Sequence, residues 1–219
     1  MRNGEKKQDL AIVMLSGGLD STVALYWAKQ RGFMIRTLGF NYYLRSRKEI
    51  SASKKIALLN GVKHHEVNID FLKEIDDLQT KRNPLLNDAE HAYIPSRNVI
   101  FYGIASSIAE VINARFIVGG HNSDDISNFP DSSPRFFKQF NKTTEIGLYT
   151  GAKTGRVVMP FSKLSKAEVI RLGAEMKVPF ELTWSCYRSS QRPCLECHSC
   201  KLRVSAFAEA GIKDPLYSK

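Results

Sequence analysis

The sequence predicts an α/β fold, with a doubly wound, mostly parallel sheet followed by a small C-terminal zinc-binding segment. Short apolar runs alternate with helical patterns along most of the chain, which is typical of a parallel sheet covered by helices. The first apolar run ends in a glycine-rich turn. All four cysteines lie between residues 186 and 200. The alternation thus predicts the sheet, the turn predicts a ligand site at its edge, and the cysteines predict a metal site.

The first structural unit is predicted to be a strand, a turn and a helix. The apolar run at residues 10–15 has the length of a short buried strand. It is followed by SGGLDS at residues 16–21, which we name the glycine turn. Apolar residues at helical spacing come next, and Gly32 suits the C-cap of that helix.

The glycine turn is predicted to bind the phosphates of a nucleotide. Gly17 and Gly18 have no Cβ, so their backbone can approach an anion, and the following helix adds unpaired N–H groups and its dipole. A polyphosphate would repel Asp20, so we expect Asp20 to hold a magnesium ion or to cap the helix. The pattern is neither Walker A nor GxGxxG, and a simple tight turn before an N-capped helix is the alternative. Three hydroxyl donors lie in the same stretch: Ser16, Ser21 and Thr22.

The remaining elements continue the alternation. Strands are predicted at residues 34–40, 63–69, 115–119 and 157–160, and helices at residues 46–60, 99–114, from 134 towards 149, and 165–177. The last helix opens with the capping-box pattern Ser165-x-x-Glu168. Residues 71–96 are expected to form a long irregular connection.

Ligands bind outside the carboxyl ends of parallel strands. We therefore expect Ser16, Asn41 and Asp70, which follow the first three strands, to surround one cleft.

Two further stretches are open to two interpretations each. Arg97 and Asn98, at the start of a buried helix, are either cleft residues or a surface ion pair and an N-cap. The polar stretch at 119–134 is either a ligand loop or a solvated loop.

Composition sets the class of protein. The 219 residues suffice for one domain with a substantial core, and 43% hydrophobic with 25% charged residues is typical of a globular protein in water. No apolar run reaches membrane-spanning length, and the polar N-terminus lacks a signal-peptide pattern, so a cytoplasmic location is expected. The net charge of +10 is spread along the chain and is weak evidence for nucleic-acid binding.

The cysteines are predicted to bind one structural zinc ion through Cys186, Cys194, Cys197 and Cys200. Four thiolates close together complete a tetrahedral zinc site and leave no open position for a catalytic water. An iron–sulfur cluster is the alternative metal group, and free or disulfide-bonded thiols are the non-metal alternative. His198 lies inside the cluster but is expected to be a bystander.

SGGLDS resembles the PP-loop of the ATP pyrophosphatases, and this implies a HUP-like, adenine nucleotide alpha hydrolase-like fold. Three other stretches narrow the resemblance: YIPSRN at 93–98, GGHNSDD…FPDSSPRFF at 119–137, and TWSCYRSSQRPCLECHSCKLR at 183–203. Together the four stretches are similar to the 7-cyano-7-deazaguanine synthase (QueC) family, and they extend over nearly the whole chain.

The family resemblance implies an ATP-dependent ligase. It implies that 7-carboxy-7-deazaguanine and ammonia become 7-cyano-7-deazaguanine through adenylated acid and amide intermediates, in queuosine and archaeosine biosynthesis. Division into an ATP-binding α/β domain at residues 1–180 and a zinc-binding segment at 181–219 is expected. Small-molecule substrates and a homodimer are the implied partners, with no membrane and no nucleic acid. The implied cofactors are structural zinc and ATP with magnesium.

The resemblance also assigns residues. Catalytic roles fall on Ser16, Asp20, Ser21 and Arg97, and substrate contacts on Arg97, Asn98, Asp131 and Tyr187. ATP contacts fall on Leu15, Ser16, Gly17, Gly18, Leu19, Asp20, Ser21, Thr22, Val23, Ala24 and Leu25.

Two segments depart from the family pattern. Tyr42-Tyr43-Leu44-Arg45-Ser46 replaces a YGQRH-like segment and keeps only its first and fourth residues, and Ser132 stands where a cysteine is common. A QueC-like enzyme with another acceptor therefore stays open. So do a tRNA-modifying PP-loop enzyme of the thiolase or lysidine synthetase type and a non-catalytic zinc-ribbon nucleic-acid binder.

Overall fold

A five-stranded sheet forms the centre of the computed structural model, which describes residues 8–77, 93–188 and 190–217. The strands are β1 (Leu10–Met14), β2 (Met34–Asn41), β3 (Lys63–Asn68), β4 (Phe116–Val118) and β5 (Arg156–Val158). Their spatial order is β3-β2-β1-β4-β5, and every neighbouring pair is parallel. The predicted doubly wound parallel sheet is confirmed.

Eight α-helices lie in the described parts of the chain. They are α1 (Leu19–Gln30), α2 (Arg47–Leu59), α3 (Phe71–Asp77), α4 (Arg97–Ile112), α5 (Ser123–Asn128), α6 (Pro134–Gly147), α7 (Lys166–Glu175) and α8 (His198–Ala210).

The winding of the chain creates a crevice beside β1. The chain runs outward from β1 to β3 and then returns through α4 to β4, on the opposite side of β1. Since the connections from β1 and β4 lead in opposite directions, the carboxyl ends of these two strands border a topological switch point. This is the place where a parallel α/β sheet binds its ligands.

Both faces of the sheet are covered by helices. Along β1, Ala11 and Val13 lie in a core formed with α1, α2, α7 and α8, whereas Ile12 lies in a core formed with α3, α4 and α6. The alternation arises because successive strand side chains point to opposite faces. The central strand is therefore buried on both sides, and this explains its unbroken apolar sequence.

Local capping chemistry sets several helix starts. Ser46 and Glu49 form a capping box at the start of α2, and Ser165 and Glu168 form the predicted one at the start of α7. Helix α6 begins at Pro134, with the Ser133 side chain accepting a hydrogen bond from the N–H of Phe136.

Three helices were not predicted. The connection at 71–96 begins with the seven-residue helix α3, so that its description as irregular is wrong at this end; residues 78–92 lie outside the described part of the chain. Helix α5 occupies part of the expected ligand loop. Helix α8 begins at His198, inside the cysteine cluster, where the metal-ligand pattern masked the helical one.

The C-terminal segment packs into the same core as the central strand. Cys186, Cys200 and Phe207 are buried in the cluster that contains Val13 of β1. Arg203 is fully buried and forms a two-pronged ion pair with Asp214, at 2.6 and 2.9 Å. The division at residues 180 and 181 stays a prediction. No helix among residues 8–77, 93–188 and 190–217 has the length and apolarity needed to cross a membrane.

Candidate active site

A cavity of about 340 Å³ lies at the carboxyl ends of β1, β2 and β4. Ser16 follows β1, Tyr42 follows β2 and Gly120 follows β4, and all three line the cavity. Asp70 follows β3 but does not line it, because β3 is the edge strand, two positions away from β1. The expected cleft is thus confirmed for Ser16 and wrong for Asp70. At the end of β2, Phe40 and Tyr42 line the cavity, whereas the predicted Asn41 between them does not.

The glycine turn is held by its own hydroxyl groups. Ser16 Oγ accepts a hydrogen bond from the N–H of Gly18 at 3.2 Å and lies 3.0 Å from Ser21 Oγ. Ser21 Oγ in turn donates to the carbonyl of Gly18 at 3.1 Å, and Thr22 Oγ1 donates to the same carbonyl at 2.7 Å. The hydroxyl groups that were predicted to donate to a ligand therefore form hydrogen bonds within the turn and stabilise its conformation.

Gly17 is required by both its conformation and its surroundings. Its φ of +92° lies in the region that favours glycine. A Cβ at this position would overlap the Glu49 carbonyl and lie 2.7 Å from the backbone nitrogen of Ser53. Helix α1 follows with Gly18 as N-cap, and no described side chain caps it, so its positive end faces the turn.

Asp20 joins the turn to two other parts of the chain. Its Oδ2 accepts a hydrogen bond from Lys166 Nζ at 2.7 Å, and its Oδ1 accepts one from Asn122 Nδ2 at 3.1 Å. Asn122 is fully buried and caps α5, with Asp125 completing the capping box. A Cβ on Gly120 would lie 2.9 Å from the carbonyl of Asp20. The stretch after β4 therefore packs directly onto the glycine turn.

The charges at this end of the cavity perturb one another. Burial, together with the Asp20 carboxylate, raises the pKa of Asp125 to about 6. Burial opposes the charged form of Lys166, but the carboxylates of Asp20 and Asp125 outweigh it and raise the pKa of Lys166. Burial and the positive charge of Arg97 lower the pKa of His121 to about 4. This histidine is consequently neutral at physiological pH.

Aromatic rings form the opposite half of the cavity. The rings of Phe40 and Phe101 stack with centroids 4.4 Å apart, and Tyr42 meets Phe101 edge-on at 5.6 Å. The Arg97 guanidinium lies over Phe101, 5.9 Å from the ring centroid, and its Nη1 donates to the Tyr42 hydroxyl at 3.5 Å. A flat surface beside a cation suits a planar, negatively charged ligand.

Three of the four predicted substrate contacts line this cavity: Arg97, Asn98 and Tyr187. Asp131 lies behind the wall, where its Oδ2 accepts a hydrogen bond from the N–H of Asn98 at 3.0 Å. Asn98 is not the N-cap of α4, since Ser96 holds that position. The Asn98 side chain instead donates to the Asp131 carbonyl and to Ser132 Oγ.

Six residues that shape the site were not among the predicted site residues: Arg45, Glu49, His121, Asn122, Asp125 and Lys166. Burial raises the pKa of Glu49, although the N–H of Ser46 and the charge of Arg45 act against this. In the sequence, the only signal for His121 and Asn122 was the polar stretch that follows the glycine pair at residues 119–120. For Lys166 the only local signal was the capping box of its helix.

The four cysteines converge as the spacing predicts. Their Sγ atoms lie within 4.8 Å of one another. A tetrahedral site with metal–sulfur bonds of about 2.3 Å needs sulfur atoms about 3.8 Å apart, so this donor set fits one metal ion. The backbone N–H groups of Arg188 and Cys194 point at Cys186 Sγ, both at 3.4 Å, as expected around a thiolate. The cysteines are free rather than disulfide-bonded.

The cysteine segment also forms part of the cavity. Tyr187 follows Cys186, Ser199 precedes Cys200, and both line the cavity. The N–H of Trp184 donates to the carbonyl of Gly17 at 2.9 Å. One segment therefore touches both the glycine turn and the opposite wall.

Comparison with known proteins places the chain in a family. The family model for queuosine biosynthesis protein QueC matches residues 10–211. The chain is 38% identical over 216 residues to 7-cyano-7-deazaguanine synthase from Thermoplasma acidophilum, covering 94% of this chain and 90% of the relative. It is 37% identical to the enzyme of that name from Oceanobacillus iheyensis, covering 94% and 96%.

A solved 4-thiouridine synthetase–RNA complex with bound ATP shares the fold. It superposes with a TM-score of 0.53 at 20% identity, covering 93% of this chain and 50% of that one. The match to the family model over nearly the whole chain, together with relatives at this level of identity, shows that the chain belongs to the QueC family.

Proposed function

We propose that the chain is an ATP-dependent carbon–nitrogen ligase that converts 7-carboxy-7-deazaguanine and ammonia to 7-cyano-7-deazaguanine. The observation that carries the proposal is one cavity with two chemically different halves. The glycine turn with the N-terminus of α1 suits phosphates, and the rings with Arg97 suit a planar acid. The names of the relatives supply the identity of that acid.

The chemistry needs activation because a carboxylate is a poor acceptor for ammonia. Its oxygen attacks the α-phosphorus of ATP, the bond to the bridging oxygen breaks, and pyrophosphate leaves. Ammonia then attacks the acyl adenylate, AMP departs with the carboxyl oxygen, and an amide forms after loss of a proton. A second ATP then adenylates the amide oxygen with release of pyrophosphate. AMP departs with that oxygen, the nitrogen gives up its two protons, and the nitrile remains.

The protein's contribution is positioning and charge stabilisation. The backbone of Gly17 and Gly18 is the proposed cradle for the phosphates, and Arg97 is the proposed partner of the acceptor carboxylate. Ser16 and Ser21 order the turn, as their hydrogen bonds indicate. Asn98 and Tyr187 supply further wall contacts to the acceptor.

Two metal ions are part of the proposal. Magnesium bound to the ATP phosphates would be held by Asp20 and Asp125, because two carboxylates near one another are the oxygen ligands it prefers. Zinc would be held by the four cysteines, with no open position for chemistry. Reduced thiols are retained in the cytoplasm, which supports the expected location. The homodimer stays a proposal that light scattering of the purified protein tests.

The decisive experiment is substrate dependence. Protein with ATP, ammonium and 7-carboxy-7-deazaguanine is expected to yield the nitrile, detected by mass spectrometry, together with pyrophosphate. Asp20→Ala is expected to abolish turnover. Formation of AMP only in the presence of tRNA would favour the tRNA-modifying alternative, and absence of ATP binding would favour the zinc-ribbon alternative.

A further inference from the structure

The buried side chain of Arg45 connects four parts of the chain. Only 3% of it is exposed. Its Nη2 donates to the carbonyl of Ser16 at 2.7 Å and to Ser53 Oγ at 3.0 Å, and its Nη1 donates to the carbonyl of Phe40, also at 2.7 Å. Nη1 also lies 3.4 Å from Glu66 on β3. One guanidinium thus joins the ends of β1 and β2 to α2 and β3.

The bond to Ser16 fixes the direction of the first peptide of the glycine turn. In a planar trans peptide, the C=O of one residue and the N–H of the next point in opposite directions. When Arg45 holds the Ser16 oxygen on its own side, the N–H of Gly17 is aimed the other way. The next carbonyl, of Gly17, is held by the N–H of Trp184 at 2.9 Å. The first two carbonyls of the turn therefore accept hydrogen bonds from the protein, and their oxygens point away from a phosphate bound at the turn.

The surroundings are suited to a buried guanidinium. Burial lowers the pKa of Arg45, while the carboxylates of Glu49 and Glu66 act against this. Glu66 also pairs with Lys54 at 3.0 Å. Gly39 leaves room for the fork, since a Cβ there would lie 3.2 Å from Arg45 Nη1. The planar fork makes two short, charge-assisted bonds to carbonyls at once, which a lysine ammonium cannot reproduce.

We propose that Arg45 is a positioning residue for ATP: it orients the glycine turn by holding the carbonyl of Ser16, while the carbonyl of Phe40 on β2 anchors the guanidinium. The proposal rests on the proposed binding of ATP at this turn. It assigns Arg45 no contact with the reacting atoms. Its specific consequence is that loss of the fork weakens ATP binding by a larger factor than acceptor binding.

The test measures ATP affinity directly by isothermal titration calorimetry, beside KM for ATP, KM for the acceptor and the melting temperature. Arg45→Lys keeps the charge and loses the fork, and we expect ATP to bind at least about tenfold more weakly, as expected for a lost charge-assisted bond. KM for the acceptor is expected to rise by a smaller factor, and an equal rise in both would contradict the proposal. Arg135→Lys, an exposed arginine on α6, is the matched control and is expected to behave as wild type.

Two further variants keep the test decisive. Glu66→Gln retains the guanidinium with its carbonyl bonds, and ATP affinity is expected to change by less than about threefold. Ser53→Ala removes one acceptor of Nη2 while keeping the arginine, and is expected to weaken ATP binding in the same direction by a smaller factor. It decides the matter if Arg45→Lys does not fold. The proposal would be overturned if Arg45→Lys bound ATP as tightly as the wild type. It would also be overturned if Glu66→Gln lost as much ATP affinity as Arg45→Lys. Wild-type protein that binds ATP but makes no nitrile would overturn the proposed function alone.

Discussion

Lys166 and Asp20, 146 positions apart in the sequence, form an ion pair with Nζ 2.7 Å from Oδ2. Lys166 is the first residue of α7, and Asp20 lies in the first turn of α1. Their side chains are only 16% and 20% exposed. Asn122 binds the other oxygen of the same carboxylate. Together these bonds join three separate elements at the phosphate end of the cavity, orient the Asp20 carboxylate and place a positive charge beside it.

Replacing Lys166 with methionine is expected to lower kcat/KM for ATP at least about tenfold. Without the ammonium, Asp20 loses the donor that orients its carboxylate. The phosphate end of the cavity also loses a positive charge in a partly buried site, where charge interactions are strong. Steady-state kinetics with varied ATP measure the effect. Lys163→Met removes an exposed charge from the preceding loop and is expected to leave the kinetics unchanged. A Lys166→Met protein with wild-type kcat/KM for ATP would contradict this role.

The elements predicted from sequence are those encoded by local patterns. The strand β1, the turn and α1 were predicted because an apolar run, two glycines and a C-capping glycine lie next to one another in the chain. Helix α8 was not predicted because two of the closely spaced cysteines lie at its start. Cys197 is its N-cap, and Cys200 lies in its first turn. A metal-ligand pattern and a helical pattern there occupy the same residues.

The site was predictable only in part, for a related reason. The glycine turn and the cysteine cluster are each short in sequence, so their spacing indicates their chemistry. Lys166 and Arg45 act through partners contributed by distant elements, and only the packing of α7 and the register of β1 and β2 bring them there. No local pattern distinguishes Lys166 from any other lysine at the start of a helix.

Asp125→Asn is expected to stabilise the nucleotide-free protein at pH values well above 6. In the folded state the pKa of Asp125 rises from 3.8 to about 6, so the fold favours the protonated carboxyl. Its stabilising contribution is present below pH 3.8 and is lost as the pH rises through about 6. An amide resembles the neutral acid at every pH and still offers an oxygen to the N–H of Asn122.

Melting temperatures of Asp125→Asn and wild type are measured between pH 3.8 and pH values above 6. The melting temperature of the variant minus that of the wild type should grow as the pH rises through this range. His121 titrates in the same range but is present in both proteins, so its contribution cancels in the comparison. Glu175→Gln alters an exposed carboxylate on α7 and is expected to show no gain that grows with pH. A pH-independent difference for Asp125→Asn would show that ionisation of Asp125 does not oppose folding.

Asp131→Ala is expected to destabilise the protein by about 1–2 kcal/mol, because it leaves the N–H of the buried Asn98 without its acceptor. It should also raise KM for the acceptor but not for ATP, since Arg97 and Asn98 line the cavity at the start of α4. Chemical denaturation and steady-state kinetics measure the two effects. Asp131→Asn retains an oxygen acceptor and is expected to lose less stability. Equal losses of stability in both variants would contradict the role of Asp131 as the acceptor for the N–H of Asn98.

Loss of the metal ion proposed at the four cysteines is expected to weaken the binding of ATP and of the acceptor together. Cys197→Ser tests this cleanly, because serine is a good helix N-cap and preserves the start of α8 while removing one thiolate. Purified wild-type protein is expected to hold about one zinc ion per chain, and the variant less, by elemental analysis.

The melting temperature of Cys197→Ser should fall, and KM should rise for ATP and for the acceptor alike. Trp184 connects the cysteine segment to Gly17, and Tyr187 and Ser199 form part of the wall, so both contacts depend on the order of this segment. His198→Ala, beside the mutated ligand but outside the four-sulfur group, is expected to keep its zinc and wild-type kinetics. If Cys197→Ser lost its metal yet bound ATP and acceptor normally, the coupling between the metal centre and the cavity would be wrong, and the cysteines would serve only to stabilise the end of the chain.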